Sequence, residues 1–560
     1  MKLPRFRPKI VDSLREYNVN TFGADLGAGI TVGIVALPLA MAFAIASGAP
    51  PQTGIITAVI GGFIISAFGG AKVCIGGPTG AFVVILSGIL ATYGWNSLMV
   101  CTIMAGIFLL VLGFTGLGKI IKFMPYPVTM GFTSGIAVLI MSTQVKDFFG
   151  LSVEKVPSEF FAKMDALIRA MPSISITATL VSIGTFVFIR YWPKKLHRYA
   201  PGTVVAIIIG TLIAYILKLP IETIGSRFGE IPTGLPLPSL PEIDFKRLPS
   251  LVQPAITIAL LAAIESLLCA VVADGMVDDR HDSDQELVAQ GLANIACPFF
   301  GGIAATSAIA RTATNVRSGA KTPVAGVIHA VVLLLILMLA APLAAFVPLA
   351  SLSAVLLNVA LHMGEWHNFR RLRSWPGSDA AVFLCAFVLT VAIDLTVAVE
   401  VGVVMAALLF IKRVSEISDV TAVDSQSEEE GAHHSLSGKD IPEGVMVYSM
   451  MGSLFFGAAS KLETILQRMK REPDVLILRL RKVMSMDTTG LNALDNLREK
   501  LQSRGRYMVL SAPQPQPLQV MHRSGFIDKL GVENICPDID AALRRAKEIQ
   551  AQKAQKPTAE

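Results

Sequence analysis

Two short stretches carry residue types and spacing suited to holding an anion. One is Gly76-Gly77-Pro78-Thr79-Gly80-Ala81, the other Ala304-Ala305-Thr306-Ser307-Ala308-Ile309-Ala310-Arg311. Each interrupts an apolar region with small, helix-poor residues and then runs into a new apolar helix. A helix that starts inside a membrane aims unpaired N–H groups and a positive dipole end at whatever lies there. Such ends favour anions. Irregular backbone at membrane depth is tolerated only where it lines a cavity. Two breaks at matching places in two halves of a membrane protein point to a transporter's binding site. Thr79, Gly80 and Ala81 are the candidate donors on one side, the Thr79 hydroxyl included. Ser307, Ala308 and Ile309 face them, with side chains at 307 and 308 small enough for an anion to reach the backbone. Arg311 follows and needs compensation at this depth. It either adds positive potential to the anion or pairs with an acidic residue.

Glu265 is the sharpest single residue. It falls mid-way along an apolar span with no acidic or basic neighbour. An intramembrane carboxylate is a functional candidate by default. Burial disfavours its charged form, which suits a group that takes up and releases a proton. A structural ion pair with Arg311 is the competing role.

The elements that must position these groups are membrane helices. The chain has 560 residues, 53% hydrophobic and 16% charged, against about 25% charged in an average soluble protein. Fourteen apolar segments precede residue 413, near 26–45, 53–68, 79–93, 96–116, 125–145, 173–191, 202–217, 251–273, 285–300, 308–318, 323–346, 350–363, 378–393 and 395–412. The third and tenth are the interrupted ones. The first follows Lys2, Arg5, Arg7 and Lys9 as a secretory leader would, but it is too long for one and more spans follow. Lys119 and Lys122, Lys194, Lys195, His197 and Arg198, Arg370, Arg371 and Arg373, and Lys412 and Arg413 all fall on the side of the basic N-terminus. By the positive-inside rule both termini are cytoplasmic. The proline-rich connection 218–250 divides the spans into seven and seven. An odd number per repeat inverts the second half, so the breaks at Thr79 and Ser307 meet at the midplane.

Beyond the spans the composition changes. We divide the chain into a cytoplasmic N-terminus 1–20, a transmembrane domain 21–413, a polar linker 414–441 (with Glu428-Glu429-Glu430 and His433-His434), a soluble α/β domain 442–549 and a disordered tail 550–560. In the α/β domain Val475–Leu480 and Tyr507–Ser511 read as strands, Ala458–Lys470 and Leu491–Ser503 as helices.

These motifs together resemble the sulfate-permease (SulP) family, which includes the solute-carrier anion exchangers and prestin. Asp25-Leu26 with Ala28-Gly29-Ile30-Thr31-Val32-Gly33 and Leu37-Pro38 is similar to its first helix. Gly76–Ala81 is similar to its third, Glu265-Ser266-Leu267-Leu268 to its eighth and Ala308-Ile309-Ala310-Arg311 to its tenth. Ser485-Met486-Asp487-Thr488-Thr489-Gly490 resembles the signature turn of the C-terminal STAS domain, shared with anti-sigma factor antagonists. The resemblance covers residues 20–549. It implies a fourteen-helix 7+7 inverted repeat of core and gate, an elevator-like motion and a homodimer in a bacterial inner membrane, with a cytoplasmic partner for the STAS domain as an option. It places Phe43 on the cavity wall, where an ordinary core phenylalanine fits nearly as well. The runs Glu265–Val272 and Ala308–Arg311 look most like the enterobacterial aerobic C4-dicarboxylate transporters of the family. Where the family's sodium-dependent bicarbonate transporters resemble an aspartate followed one turn on by a threonine, this chain has Glu265 and Cys269. A thiol is a poor sodium ligand, which favours protons. Thr488 aligns with the phosphorylated turn of the antagonists and is a candidate modification site, although such turns are more often structural in transporters.

Other apparent motifs lead elsewhere. Gly113-x-x-x-x-Gly118-Lys119-Ile120 lacks the magnesium-binding Ser or Thr of a P-loop. Asp278-Asp279-Arg280-His281-Asp282-Ser283-Asp284 lacks EF-hand spacing and reads as a solvated loop. Of the six cysteines, Cys74, Cys101, Cys269, Cys297 and Cys385 lie in apolar segments and read as packing; Cys536 lies beyond them. No cofactor, metal or enzymatic chemistry is expected, and no basic tract suggests nucleic acid. The expected function is secondary active anion transport, proton-coupled, with succinate, fumarate or aspartate as substrate. The alternatives are sulfate transport, sodium-coupled bicarbonate uptake or exchange, an uncoupled anion channel, and a membrane-anchored STAS signalling module.

Overall fold

The computed structural model describes residues 6–118, 125–153, 156–157, 159–193, 201–393, 395–417, 419–422, 440–455 and 473–555. Lys119, Lys122, Lys194, Lys195, His197, Arg198, Ala458–Lys470, Glu428–Glu430 and His433-His434 lie outside them. The chain forms two units, Met1–Ala406 and Ala407–Glu560.

The first unit is helical. Its long elements are α1 (Val19–Ala46), α2 (Pro51–Phe68), α3 (Gly80–Phe114), α4 (Tyr126–Phe149), α5 (Ile176–Tyr191), α6 (Gly202–Ile216), α7 (Leu248–Val277), α8 (Ser283–Phe299), α9 (Ile309–Arg317), α10 (Val324–Ala344), α11 (Leu349–Met363), α12 (Gly377–Ala392) and the first half of α13 (Leu395–Ile417). Among the described residues seven helices are long and apolar enough to cross a membrane on their own. The third and fourth expected spans are the two helices within α3, which meet at a kink at Gly94 (φ 82°). Glycine tolerates this left-handed conformation without a Cβ penalty. With α3 counted as two, the fourteen expected segments are all present.

Packing sorts these helices into two sets. α1 packs on α2 and α10, α8 on α2 and α3, and α7 on α3 and α9. In the other set α4 packs on α11 and α12, and α11 on α5. The first set takes corresponding members from both halves of the chain, as an inverted repeat requires. Backbones approach closely inside it. A methyl built on Gly106 of α3 would lie 2.7 Å from the carbonyl of Gly291 on α8, so neither position accepts a side chain.

Asp25, in the second turn of α1, has a structural role. It is fully buried and accepts from the N–H groups of Lys321 (2.7 Å) and Thr322 (3.1 Å), tying α1 to the entry of α10. The segment 278–284 is more ordered than a solvated loop. His281 Nδ1 contacts Asp274 Oδ2 at 2.7 Å, Lys9 bridges to Asp279 at 2.9 Å, and Asp282 caps α8. Asp284 is buried.

The second unit carries a five-stranded sheet in the order β3 (Asp419–Ala422), β4 (Val445–Leu454), β5 (Val475–Met486), β6 (Tyr507–Ser511), β7 (Ile535–Cys536); β1 (Gly76–Gly77) and β2 (Thr306–Ser307) belong to the first unit. β3 pairs antiparallel with β4, and the other pairs are parallel. Residues 419–422, expected in the linker, are therefore part of the sheet. Side chains alternate across it. Leu476, Leu478 and Leu480 pack against Leu491, Leu494, Leu497 and Leu501 of α14 (Thr488–Gln502). Val475, Ile477 and Val509 pack against Ile539, Ala542, Leu543 and Ala546 of α15 (Ile539–Gln555). Apolar residues on both faces make the strand run read as continuous. The helix α15 continues to Gln555, so residues 550–555, expected to be disordered, are helical.

Candidate functional site

The two breaks form one structure. Gly76–Gly77 (β1) pairs antiparallel with Thr306–Ser307 (β2), Gly76 opposite Ser307 and Gly77 opposite Thr306. Short strands satisfy the backbone that neither helix can, and so bring the starts of α3 and α9 together. Residues 76–81 lack helical spacing because glycine and proline dominate them. At Gly77 (φ 143°) a Cβ would lie 2.4 Å from Arg311 Nη1, so only glycine fits.

Each helix start leaves main-chain donors free of intrahelical bonds. In α3 the first such bond runs from Phe82 N–H to Thr79 O (3.3 Å), after Gly80 and Ala81. In α9 it runs from Thr312 N–H to Ala308 O (2.9 Å), after Ile309, Ala310 and Arg311. The Ala308 N–H is already engaged, donating to Ile75 O at 3.0 Å.

Glu265, which the sequence leaves without a partner, has one. Its Oε2 accepts from Thr79 Oγ1 at 2.9 Å. Arg311, 3% exposed, sends Nη2 to Pro78 O (2.6 Å) and Nη1 to Gly76 O (3.5 Å). Among the described residues it makes no ion pair with Glu265. The guanidinium of the second break thus holds the carbonyls of the first.

Ser307 faces away from the gap. Its Oγ donates to Glu286 Oε1 (3.1 Å) and accepts from Gln290 Nε2 (2.8 Å). Glu286 Oε2 accepts from Gly70 and Ala71 N–H at 3.0 and 3.2 Å. Phe43 is buried beside Gly80, where a methyl would lie 3.2 Å from Phe43 Cε1 and 2.9 Å from Ile140 Cδ1. Ile309 is exposed. Cys269 Sγ lies 3.2 Å from Thr312 Oγ1 and 3.9 Å from Cys74 Sγ. Thr488 stands exposed at the first turn of α14, whose N-cap Asp487 accepts from Gly490 N–H at 2.8 Å.

Several supporting residues had no sequence signal of their own. Thr312 Oγ1 accepts from Ile75 N–H (3.0 Å), Asn315 Nδ2 donates to Val73 O (2.9 Å) and Thr306 Oγ1 donates to Ala262 O (3.2 Å). His329 is fully buried behind β1, and neither ring nitrogen has a hydrogen-bond partner among the described residues.

Residues 22–386 match the sulfate permease family and residues 439–542 match the STAS domain. The chain belongs to the sulfate permease family. It is 41% identical over 92% of its length to "Putative sulfate transporter YvdB" of Bacillus subtilis, covering 96% of that protein. It is 31% identical over 93% of its length to the bicarbonate transporter BicA of Picosynechococcus, covering 94% of it. The murine solute carrier 26 family member A9 anion transporter shares the fold, with a TM-score of 0.85, 18% identity, and coverage of 97% of this chain and 94% of that one. The protein is an anion transporter of this family rather than an enzyme, a multi-pass helical membrane protein with a C-terminal STAS domain.

Proposed function

We propose that this protein takes up a small oxyanion together with a proton, the anion bound between the starts of α3 and α9 and the proton on Glu265. The 2.9 Å hydrogen bond between Thr79 and Glu265 carries the reading, because it links the anion site to the ionisable group through one hydroxyl. A threonine has a single O–H to donate. With Glu265 ionised, that donor is occupied by the carboxylate, and the carboxylate repels an anion at the same gap. With Glu265 protonated, the carboxyl O–H donates to Thr79 Oγ1, and the threonine hydrogen turns to the anion. Anion and proton then bind together, and affinity rises as pH falls. Cys269 supports protons over sodium, since the group one turn from Glu265 is a thiol beside Thr312 rather than a free hydroxyl.

Sulfate and bicarbonate come first among the candidate substrates, a choice supported by the names of the relatives. Neither name supports the C4-dicarboxylates suggested by the motif resemblance, so succinate takes a lower place. We further propose that the α1–α3 and α7–α10 set moves as a body carrying the site, in a homodimer with both termini cytoplasmic.

Proteoliposome uptake with Glu265→Gln tests the coupling. The amide can donate to Thr79 as the protonated acid would, so anion binding should persist and lose its pH dependence. Uphill accumulation under a pH gradient should fall by about tenfold or more. A mutant that still concentrates substrate on that gradient removes Glu265 from the coupling, and steady leak without accumulation in the wild type favours a channel.

A further inference from the structure

At the far end of α1 from the amino terminus lies a cavity of about 690 Å³. Its wall is made by the ends of three helices that also meet at the central site. Phe43 of α1, Gly80 of α3 and Ile140 of α4 touch there. Two or more residues further along each chain, Ile45, Ser87 and Thr143 line the cavity. Ser87 lies six residues beyond Ala81 on α3, a rise of about 9 Å.

Lys163 makes this cavity more than a surface dent. It belongs to the short helix Phe160–Arg169, lines the cavity, and is only 5% exposed. Its ammonium makes no hydrogen bond or ion pair among the described residues. Buried charges are ordinarily paired. Desolvation accordingly pulls Lys163 below the usual lysine range. The other cations of the wall are already engaged. Arg227 bridges to Asp147 at 2.7 Å and to Glu222, and Lys146 donates to Val153 O at 2.6 Å. Asp147 and Glu222 offset Arg227, and Glu159 is exposed at the rim, so Lys163 is the buried lining cation without an acidic partner among the described residues.

We propose that this cavity is a second anion site, in which Lys163 holds an oxyanion waiting outside the closed central site. Three of the four lining hydroxyls are engaged elsewhere, and the fourth, Thr92, is exposed. Ser47, Ser87 and Thr143 each donate to a carbonyl of their own helix, at 2.8, 2.9 and 2.7 Å. Capture is therefore by charge, with little selectivity among oxyanions and fast release. A path requires binding strong enough to enter and weak enough to leave. The role of the site on the path rests on the central site proposed above; anion binding at Lys163 does not.

Thr92 is exposed on the cavity wall and reports on occupancy. In full-length protein carrying Thr92→Cys, reaction with an impermeant anionic methanethiosulfonate should be slowed saturably by external sulfate. The parent protein, which keeps Thr92, supplies the background rate. Lys163→Met should raise the half-protecting sulfate concentration about tenfold, the effect of losing one charged hydrogen bond. Lys163→Arg should restore it, and Lys163→Gln repeats the loss if the Met variant fails to fold. Thr79→Trp and Ala308→Trp, which block the central site, should leave protection intact. The proposal is overturned if sulfate, bicarbonate and succinate all fail to protect. It is also overturned if protection survives both neutral substitutions, or vanishes with the central-site variants.

Discussion

The two intramembrane breaks occupy equivalent places in the repeat and use their polar groups differently. The first turns its hydroxyl toward chemistry, with Thr79 on Glu265 at 2.9 Å. The second turns its hydroxyl toward scaffold, with Ser307 between Glu286 and Gln290, and engages the Ala308 N–H on Ile75 O. It then lends its charge across the pair, since Arg311 reaches Pro78 O and Gly76 O of the first break. An inverted repeat supplies two helix ends of the same polarity, but it does not oblige both to carry the same side-chain chemistry. Here one half holds the hydroxyl bonded to Glu265 and the other holds the cation and the rigid footing.

The largest effect should come from cutting the link between them. Arg311→Ala leaves the carbonyls of Pro78 and Gly76 without their buried donor, and a charged hydrogen bond is worth about 1.5–3 kcal/mol. Transport should fall by about a hundredfold or more in proteoliposomes. Arg311→Lys keeps the charge but not the two-pronged reach, and should recover stability in a thermal melt without recovering transport. Full activity in the Lys variant would reduce Arg311 to a point charge and dissolve the link.

Bulk should act on both breaks alike, because main-chain donors are what they share. Thr79→Trp and Ala308→Trp should each abolish saturable anion binding while keeping a monodisperse elution profile. Wild-type affinity in either folded variant would remove that helix start from the site.

The hydroxyls should then separate the two. Thr79→Val removes the hydroxyl that donates to Glu265, and that we propose turns to the anion, while keeping the side chain's shape. Affinity should drop about tenfold at low pH, where the hydroxyl is free for the anion, and by less at high pH, where the carboxylate occupies it. The pH dependence of binding should flatten accordingly. A Val variant with the wild-type pH profile would break the proposed linkage even if transport survived.

How much of this was legible in the sequence follows from how local each signal is. The breaks at 76–81 and 304–311 could be read because glycine, proline and small residues stand out inside apolar runs. The fourteen segments could be read because membrane helices are long and apolar. The partners could not. Glu286 meets Gly70 across 216 residues, and it sits beside an acidic stretch that reads as a solvated loop. Thr79 and Glu265 are 186 residues apart, so the carboxylate looked unpartnered. Lys163 lies in a ten-residue helix between spans, too short to register as an element of interest. Strand β3 hid in a polar linker because four residues give no usable period. The identity of the anion is the least legible feature, because backbone N–H groups meet sulfate, bicarbonate and succinate on equal terms.

Ser307→Ala is the mildest test and the most discriminating for the asymmetry. Its hydroxyl is 1% exposed and bonded only to the Glu286–Gln290 pair among the described residues. Gln290 Nε2 also donates directly to Glu286 Oε1 at 3.0 Å, so losing the serine leaves neither group alone. Glu286 Oε2 keeps its two backbone donors at Gly70 and Ala71. The cost should be about 1–2 kcal/mol of stability, seen as a small drop in melting temperature. Anion affinity should stay within about twofold of wild type and its pH dependence should be unchanged, because nothing in the gap has been altered. If Ser307→Ala instead loses affinity as Thr79→Val does, the second hydroxyl reaches the anion after all, and the two halves divide the chemistry evenly rather than unequally.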